Sequence, residues 1–212
     1  MSRTWSPLGL VVAVLFSLPA CASSEEGQPP PPPDDAPPVT PEQQMALDDF
    51  LESQSPGDQH EKLAPLIGRF EARILHWIAP DQAPSESSGV LENTWALGGL
   101  FVLSQYRGEE LGRPFEGLGL LGYDTLRQKY VGNWADSMSS APWPTATGDL
   151  LEDEDALTLS RVMTDPMTGQ LIKIRDVTTF VDDDHITYEI FVTRPGADET
   201  KVLEAQYTRI PT

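Results

Sequence analysis

The fold is decided by two runs of residues: 115–124, which read Phe-Glu-Gly-Leu-Gly-Leu-Leu-Gly-Tyr-Asp, and 130–138, which read Tyr-Val-Gly-Asn-Trp-Ala-Asp-Ser-Met. Both runs are rich in aromatic and aliphatic residues, and the polar stretch 124–129 separates them, which predicts a β-hairpin. Glycines at positions 117, 119, 122 and 132 would weaken a flat sheet, but they suit tight curvature or the close approach of another group. The hairpin therefore predicts a sheet that curls into a barrel.

Alternating hydrophobic patterns continue through the chain after residue 68, and turn residues separate them. They predict about ten strands, at 69–79, 85–95, 99–107, 113–123, 129–137, 143–151, 156–164, 171–181, 185–194 and 200–210. No gap between them would hold a crossover helix, so neighbouring strands should pair antiparallel. We expect an all-β fold, an antiparallel up-and-down closed barrel, and ten strands imply an interior wide enough for a ligand.

One or two short helices are expected before the barrel. Thr40 is a suitable N-cap, Pro41 suits the first helical position, and Gln43 completes a capping box. A second short helix is predicted from Asp58, with its end at Gly68. The expected organisation is a signal peptide at 1–20, a disordered tether at 21–40, helices at 41–67 and the barrel domain at 68–212.

The first 20 residues have the features of a secretory signal: Arg3, an apolar core that is too short to span a bilayer, and Ala20 before the only cysteine, Cys21. Residues 18–21, Leu-Pro-Ala-Cys, resemble the lipobox of bacterial lipoproteins, which implies a lipidated Cys21. The alternative is an ordinary secretory signal with an incidental cysteine. We expect a protein of the bacterial cell envelope, anchored in the membrane through Cys21, in the outer membrane and facing the periplasm.

The acidic composition of the chain limits the kinds of partner that it can bind. The chain has 14 Lys and Arg against 33 Asp and Glu, a net charge of −19, and removal of residues 1–20 takes away one base and no acid. Such a surface disfavours nucleic acid, because binding to phosphates needs clustered basic residues. Residues 22–40 contain five consecutive prolines and no large apolar side chain, so we expect an extended, disordered tether.

Several motifs together resemble the bacterial family known as domain of unknown function 1579. They are the residues at 59–63, 66–70, 93–99, 112–117, 122–124, 134–138, 165–169 and 207–209. The resemblance covers residues 58–210 and, more loosely, extends to calycin-type and lipocalin-like barrels. It implies a closed barrel, and it implies no activity.

Candidate ligand-binding residues lie on the predicted hairpin and its neighbour. Trp134, Asp136 and Met138 would share one face of a strand, where they could line a pocket. The full predicted set is Tyr106, Glu116, Tyr123, Trp134, Asp136 and Met138. The alternative is a core tryptophan and an aspartate that bonds to a turn. Catalysis by Asp136 and Glu116 would require both carboxylates in one site.

Metal and cofactor signals are weak. His60, His76 and His185 are far apart, and there is no metal-ligand spacing, so we predict no metal site and no cofactor. Haem, which some calycin-like barrels such as nitrobindin hold through a histidine, would need an inward axial ligand, and only His76 qualifies loosely. Three hypotheses follow: a carrier of a small, mostly apolar ligand, a non-catalytic interaction protein with a packed interior and an envelope protein partner, and an enzyme.

Overall fold

The computed structural model describes residues 39–79, 82–110, 112–151, 153 and 155–211. The predicted signal peptide, Cys21 and nearly all of the predicted tether lie outside these residues. Helix α1 (Pro41–Ser53) begins at the proline, as its fixed φ angle favours. None of its side chains is buried. Among the described residues, no helix has the length and hydrophobicity needed to cross a membrane.

The second predicted helix is divided into two shorter pieces. Helix α2 (Asp58–Glu61) is one turn long, and a 3₁₀ turn (Ala64–Leu66) follows it. Pro65 lies inside that turn and has no backbone N–H to continue an α-helix. Gly68, with a φ of 140°, then leads the chain into the first strand.

Ten strands follow in the described chain, with turns and a second 3₁₀ turn (Leu97–Gly99) between them. They are β1 (Gly68–His76), β2 (Ser85–Ala96), β3 (Phe101–Glu110), β4 (Arg113–Asp124), β5 (Lys129–Asp136), β6 (Ala146–Leu151), β7 (Ala156–Thr164), β8 (Leu171–Phe180), β9 (His185–Thr193) and β10 (Thr200–Arg209). Each strand pairs antiparallel with the next, and β1 pairs with β10, so the sheet closes. The predicted ten-strand up-and-down barrel is confirmed.

The end of the barrel where β1 begins is closed by the residues that precede it. Leu63 and Leu66 are 0% and 7% exposed, and they pack in one cluster with Phe70, Val102 and Tyr130. Full burial of one leucine side chain contributes about 1.5–3 kcal/mol. The segment before β1 is therefore part of the core, and we call the barrel end that it covers the helix end.

Glycines inside the sheet allow aromatic rings to lie directly on the backbone. A Cβ atom at Gly117 would overlap with the indole ring of Trp134, and one at Gly119 would lie 3.1 Å from it. On the outer face, the ring of Phe101 covers Gly122 in the same way. The glycines therefore allow the close approach of another group, as their positions in the strands predicted. On the inner face, the aromatic rings fill part of the space that a ten-strand barrel would otherwise leave open.

Candidate functional site

The opposite end of the barrel, which we call the mouth, brings polar residues together. His76 is the last residue of β1, and Glu110 is the last residue of β3. Between them lies β2, whose Ser87 pairs with Ile74 of β1 and shares its inward face. Side chains from three adjacent strands can therefore meet inside the rim.

The central contact at the mouth joins His76 and Glu110. The Nδ1 atom of His76 lies 2.9 Å from Oε1 of Glu110, and the hydroxyl of Ser87 donates to Oε2 at 3.4 Å. The side chains of His76 and Glu110 are 33% and 15% exposed. Because a carboxylate can only accept a hydrogen bond, Nδ1 of His76 is the donor in this contact.

Below this pair, Tyr106 of β3 points into the barrel and is 3% exposed. Its hydroxyl is buried without a hydrogen-bond partner among the described residues. The hydroxyl lies against Gly89 and Gly108, where any side chain would collide with it. Burial, and then the charge of Glu110, raise the pKa of Tyr106 to about 12, so the phenol is neutral at pH 7.

A second polar group crosses the interior on the other side of the barrel. Arg161 of β7 and Asp176 of β8 form a two-point ion pair with distances of 2.7 and 3.0 Å, and their side chains are 5% and 6% exposed. The Nε atom of Arg161 has no described partner. Trp143, from the segment between β5 and β6, stacks on the guanidinium with its ring centre 4.7 Å away.

Burial is the main cause of the shifted pKa values of the ionisable side chains around this ion pair. Loss of hydration raises the pKa of Asp176, and the charge of Arg161 and a hydrogen bond from Tyr188 oppose that rise. Burial and the charge of Asp176 raise the pKa of Tyr188 well above its usual value. The pKa of Tyr207 is also raised, by burial and by Tyr106. Three neutral phenols and one ion pair thus lie in the interior.

Three of the six predicted site residues lie in the half of the interior towards the mouth. Tyr106 packs edge-on against Phe115 with ring centres 5.8 Å apart, and Trp134 lies on the adjacent glycines of β4. Asp136, beside Gly117, shares the inward face of β5 with Trp134. Its Oδ1 accepts a hydrogen bond from the backbone of Met138, which is the turn contact that the alternative expected.

The other three predicted residues lie elsewhere. Tyr123 faces inward at the helix end, where its ring contacts those of Tyr130 and His60. The expectation that Glu116 faces a pocket is wrong, because its side chain is 72% exposed and lies 3.5 Å from Arg107 on the outer face. The placement of Met138 on the strand is also wrong: β5 ends at Asp136, and Met138 is 53% exposed.

The outward position of Glu116 separates it from Asp136, its partner in the predicted catalytic pair. Glu116 and Gly117 are neighbours on β4 and point to opposite faces, and Gly117 is the residue that pairs with Asp136. The carboxylates of Asp136 and Glu116 are therefore on opposite sides of the barrel wall and cannot share a proton in one site. A ligand-binding role for the predicted set stays a prediction.

Sequence reasoning missed Glu110, Ser87, Arg161 and Asp176. Gly108 and Gly112 predict a turn around Glu110, whereas β3 continues through it. Arg161 follows Leu157 and Leu159 on the inward face of β7, and Asp176 follows Ile172 and Ile174 on that of β8. A charge at an inward position of an alternating strand was the available signal.

The histidines do not form a metal site. His60 is buried in α2, where its Nδ1 accepts a hydrogen bond from Gly57, and His185 pairs with Asp182 at the helix end. No group of three or more acidic, histidine or cysteine side chains suited to a metal ion occurs within the described part of the chain.

Two depressions, of about 270 and 400 Å³, lie on the outer face of β5–β9.

Comparisons with solved structures concern the fold. The chain is similar to the crystal structure of Rv2717c from M. tuberculosis, with a TM-score of 0.52 and 16% identity over 73% of this chain and 99% of that one. It is also similar to a de novo designed fluorescence-activating β-barrel, with a TM-score of 0.38 and 12% identity over 68% of this chain and 93% of that one. A redesigned β-barrel is similar with a TM-score of 0.37 and 13% identity over 71% of this chain and 96% of that one.

No curated protein matches the chain by sequence. The model of one family, described as protein of unknown function (DUF1579), matches residues 55–209, which include α2 and all ten strands. This span is most of the chain. The protein therefore belongs to the DUF1579 family, as its motifs indicated.

Proposed function

We propose that this protein is an envelope-anchored bacterial lipoprotein whose barrel binds a small, mostly apolar ligand through the mouth. The observation that supports binding is the buried hydroxyl of Tyr106, which has no described partner. A buried polar group without a partner costs about 1–3 kcal/mol, and a bound molecule that supplies the missing hydrogen bond would remove that cost.

The surroundings of Tyr106 support an apolar ligand. Its neighbours on the inward face are the rings of Phe115 and Trp134 and the aliphatic side chain of Ile74. Binding sites for small molecules commonly combine such walls with a few polar groups that set the orientation. The helix end is closed by Leu63 and Leu66, so the mouth is the entrance that we propose.

The anchor is proposed from the sequence. Residues 18–21 resemble a lipobox, and the proline-rich stretch after Cys21 would hold the barrel away from the membrane surface. Labelling with a palmitate analogue tests this part. The wild-type chain should take up the label and sediment with membranes, and Cys21→Ser should do neither. Equal labelling of both would refute the lipoprotein assignment.

Native mass spectrometry of the full chain, purified from its own host, tests ligand binding. We expect an additional mass at one equivalent, which Trp134→Ala reduces. Trp95→Ala, at an exposed tryptophan of the helix end, is the matched control and should keep the ligand. Circular dichroism establishes that both variants are folded. A ligand retained equally by both variants would place it outside the proposed site.

A second function is a non-catalytic interaction protein with a packed interior. The rings that cover Gly117, Gly119 and Gly108 favour it, because they fill space that a ligand would need. In that case the native mass would be that of the bare protein, and cross-linking in the intact envelope would join the barrel to a partner protein. A stoichiometric small molecule in the native spectrum would argue against this alternative.

A further inference from the structure

We propose that the mouth recognises a primary ammonium group, so that the ligand is an alkylamine or a related apolar amine. This inference rests on the proposed function for the apolar part of the ligand and specifies its polar end. It starts from the chemistry of Glu110 at the rim and of Tyr106 below it on the same face of β3.

The first step is the number and type of hydrogen-bonding atoms. Glu110 offers carboxylate oxygens, and the hydroxyl oxygen of Tyr106 has no described partner. Both groups can accept hydrogen bonds, and a primary ammonium carries three N–H donors that it can share between them. A carboxylate ligand has only acceptors and could not donate to Glu110.

The second step is how the Tyr106 hydroxyl approaches Glu110. On the inward face of β3, Tyr106 and Glu110 are separated by Gly108 alone. A Cβ atom at Gly108 would lie 2.5 Å from the Tyr106 hydroxyl, so the absence of a side chain there lets the hydroxyl extend towards Glu110. The influence of the Glu110 charge on the pKa of Tyr106 reflects this proximity.

The third step is charge. Among the described residues on the inward face near the mouth, Glu110 and Asp136 are acidic, and Arg113 is an exposed base at the rim. Arg161, deeper inside, is already neutralised by Asp176. The whole chain has a net charge of −19, which attracts cations and repels anions. The aromatic faces of Phe115 and Trp134 would further favour a cation.

Isothermal titration calorimetry of the full chain with octylamine, octan-1-ol and octanoate tests the inference, since the three probes share a tail and differ in the polar group. We expect octylamine to bind at least about tenfold more tightly than octan-1-ol, because a charged hydrogen bond strengthens only the amine, and octanoate to bind most weakly. Octyltrimethylammonium, which has no N–H, should also bind more weakly than octylamine.

Variants locate the effect. Glu110→Gln should remove most of the preference for octylamine over octan-1-ol, and Tyr106→Phe should weaken octylamine binding without lowering the unfolding temperature, since it deletes an unpaired hydroxyl. The matched control is Glu109→Gln, an exposed neighbour on the outer face of β3, which should leave the preference unchanged.

The outcomes separate the two proposals. Equal or tighter binding of octan-1-ol or octanoate would overturn the ammonium site and leave a carrier of apolar molecules in place. A preference for octylamine that Glu110→Gln does not reduce would also overturn the site. If none of the four probes binds, the proposed carrier function fails, and the ammonium inference fails with it.

Discussion

Removal of one charge from the buried ion pair should destabilise the barrel more than removal of both. In Asp176→Asn, the guanidinium of Arg161 would remain 5% exposed, with its Nε already unpartnered and its carboxylate partner gone. Breaking a buried pair in this way costs about 3–5 kcal/mol. A domain of this size has a total stability of about 5–15 kcal/mol, so the loss is a large fraction of it. It corresponds to a fall of roughly 6–20 °C in the unfolding temperature.

The double variant Arg161→Met/Asp176→Leu provides the comparison. It removes both charges and fills the space with apolar side chains, which is often close to neutral for a buried pair. Urea unfolding followed by circular dichroism measures the free energy of unfolding of all three proteins. The reasoning is refuted if Asp176→Asn costs less than about 1 kcal/mol, or if the double variant is as unstable as the single one.

The hydroxyl of Tyr106 gives a pH dependence with a definite sign. Burial raises the pKa of Tyr106 from its ordinary value of 10.0 to about 12, so the folded state holds this proton more tightly than the unfolded chain does. Its contribution to stability is therefore fully present below pH 10.0 and is lost as the pH rises through about 12. The stability of the wild type relative to Tyr106→Phe should fall as the pH rises from about 10, and a constant or rising difference would contradict the burial of this hydroxyl.

Two further substitutions test the core and the glycine positions. Leu63→Ala should lower the free energy of unfolding by about 2–5 kcal/mol, whereas Leu97→Ala, at a residue that is 69% exposed, should change it by less than about 0.5 kcal/mol. Gly117→Ala should cost about 1–3 kcal/mol and alter the near-ultraviolet circular dichroism of Trp134, because the added methyl overlaps with the indole ring. Gly57→Ala, which meets no atom within 4 Å, is its control; equal effects would refute the ring placement.

The barrel was predictable because turn residues and alternation agree along the whole chain. The hairpin at 115–138 illustrates this: the polar turn separates β4 from β5, and the pairing of Tyr123 with Tyr130 follows from its length. An antiparallel sheet with short connections leaves few other topologies. The early end of the second helix was harder to predict from the sequence. Whether Pro65 interrupts a helix or lies in a 3₁₀ turn depends on how the chain enters β1.

The site was harder to predict, because single residues there serve purposes that alternation does not reveal. Gly108 has the composition of a turn, yet it lies within β3 and makes room for a hydroxyl. Asp136 ends β5 by accepting a backbone hydrogen bond, which removed Met138 from the strand. The partner of Asp176 lies on a neighbouring strand, and the register that joins Asp176 to Leu159 and Arg161 to Ile174 is a property of the folded sheet.

The contacts of Arg209 have a consequence for how the chain folds. This residue, the last of β10, donates hydrogen bonds to the backbone of Ile67 and Pro65, and its guanidinium stacks on the ring of Phe70. The bond to Ile67 joins positions 142 residues apart. A nascent chain that lacks β10 has unpaired edges at both β1 and β9, which are templates for intermolecular pairing. The barrel can therefore close, and its edges be paired, only after the final strand has been synthesised. Folding that is limited by such long-range pairing should take milliseconds to seconds.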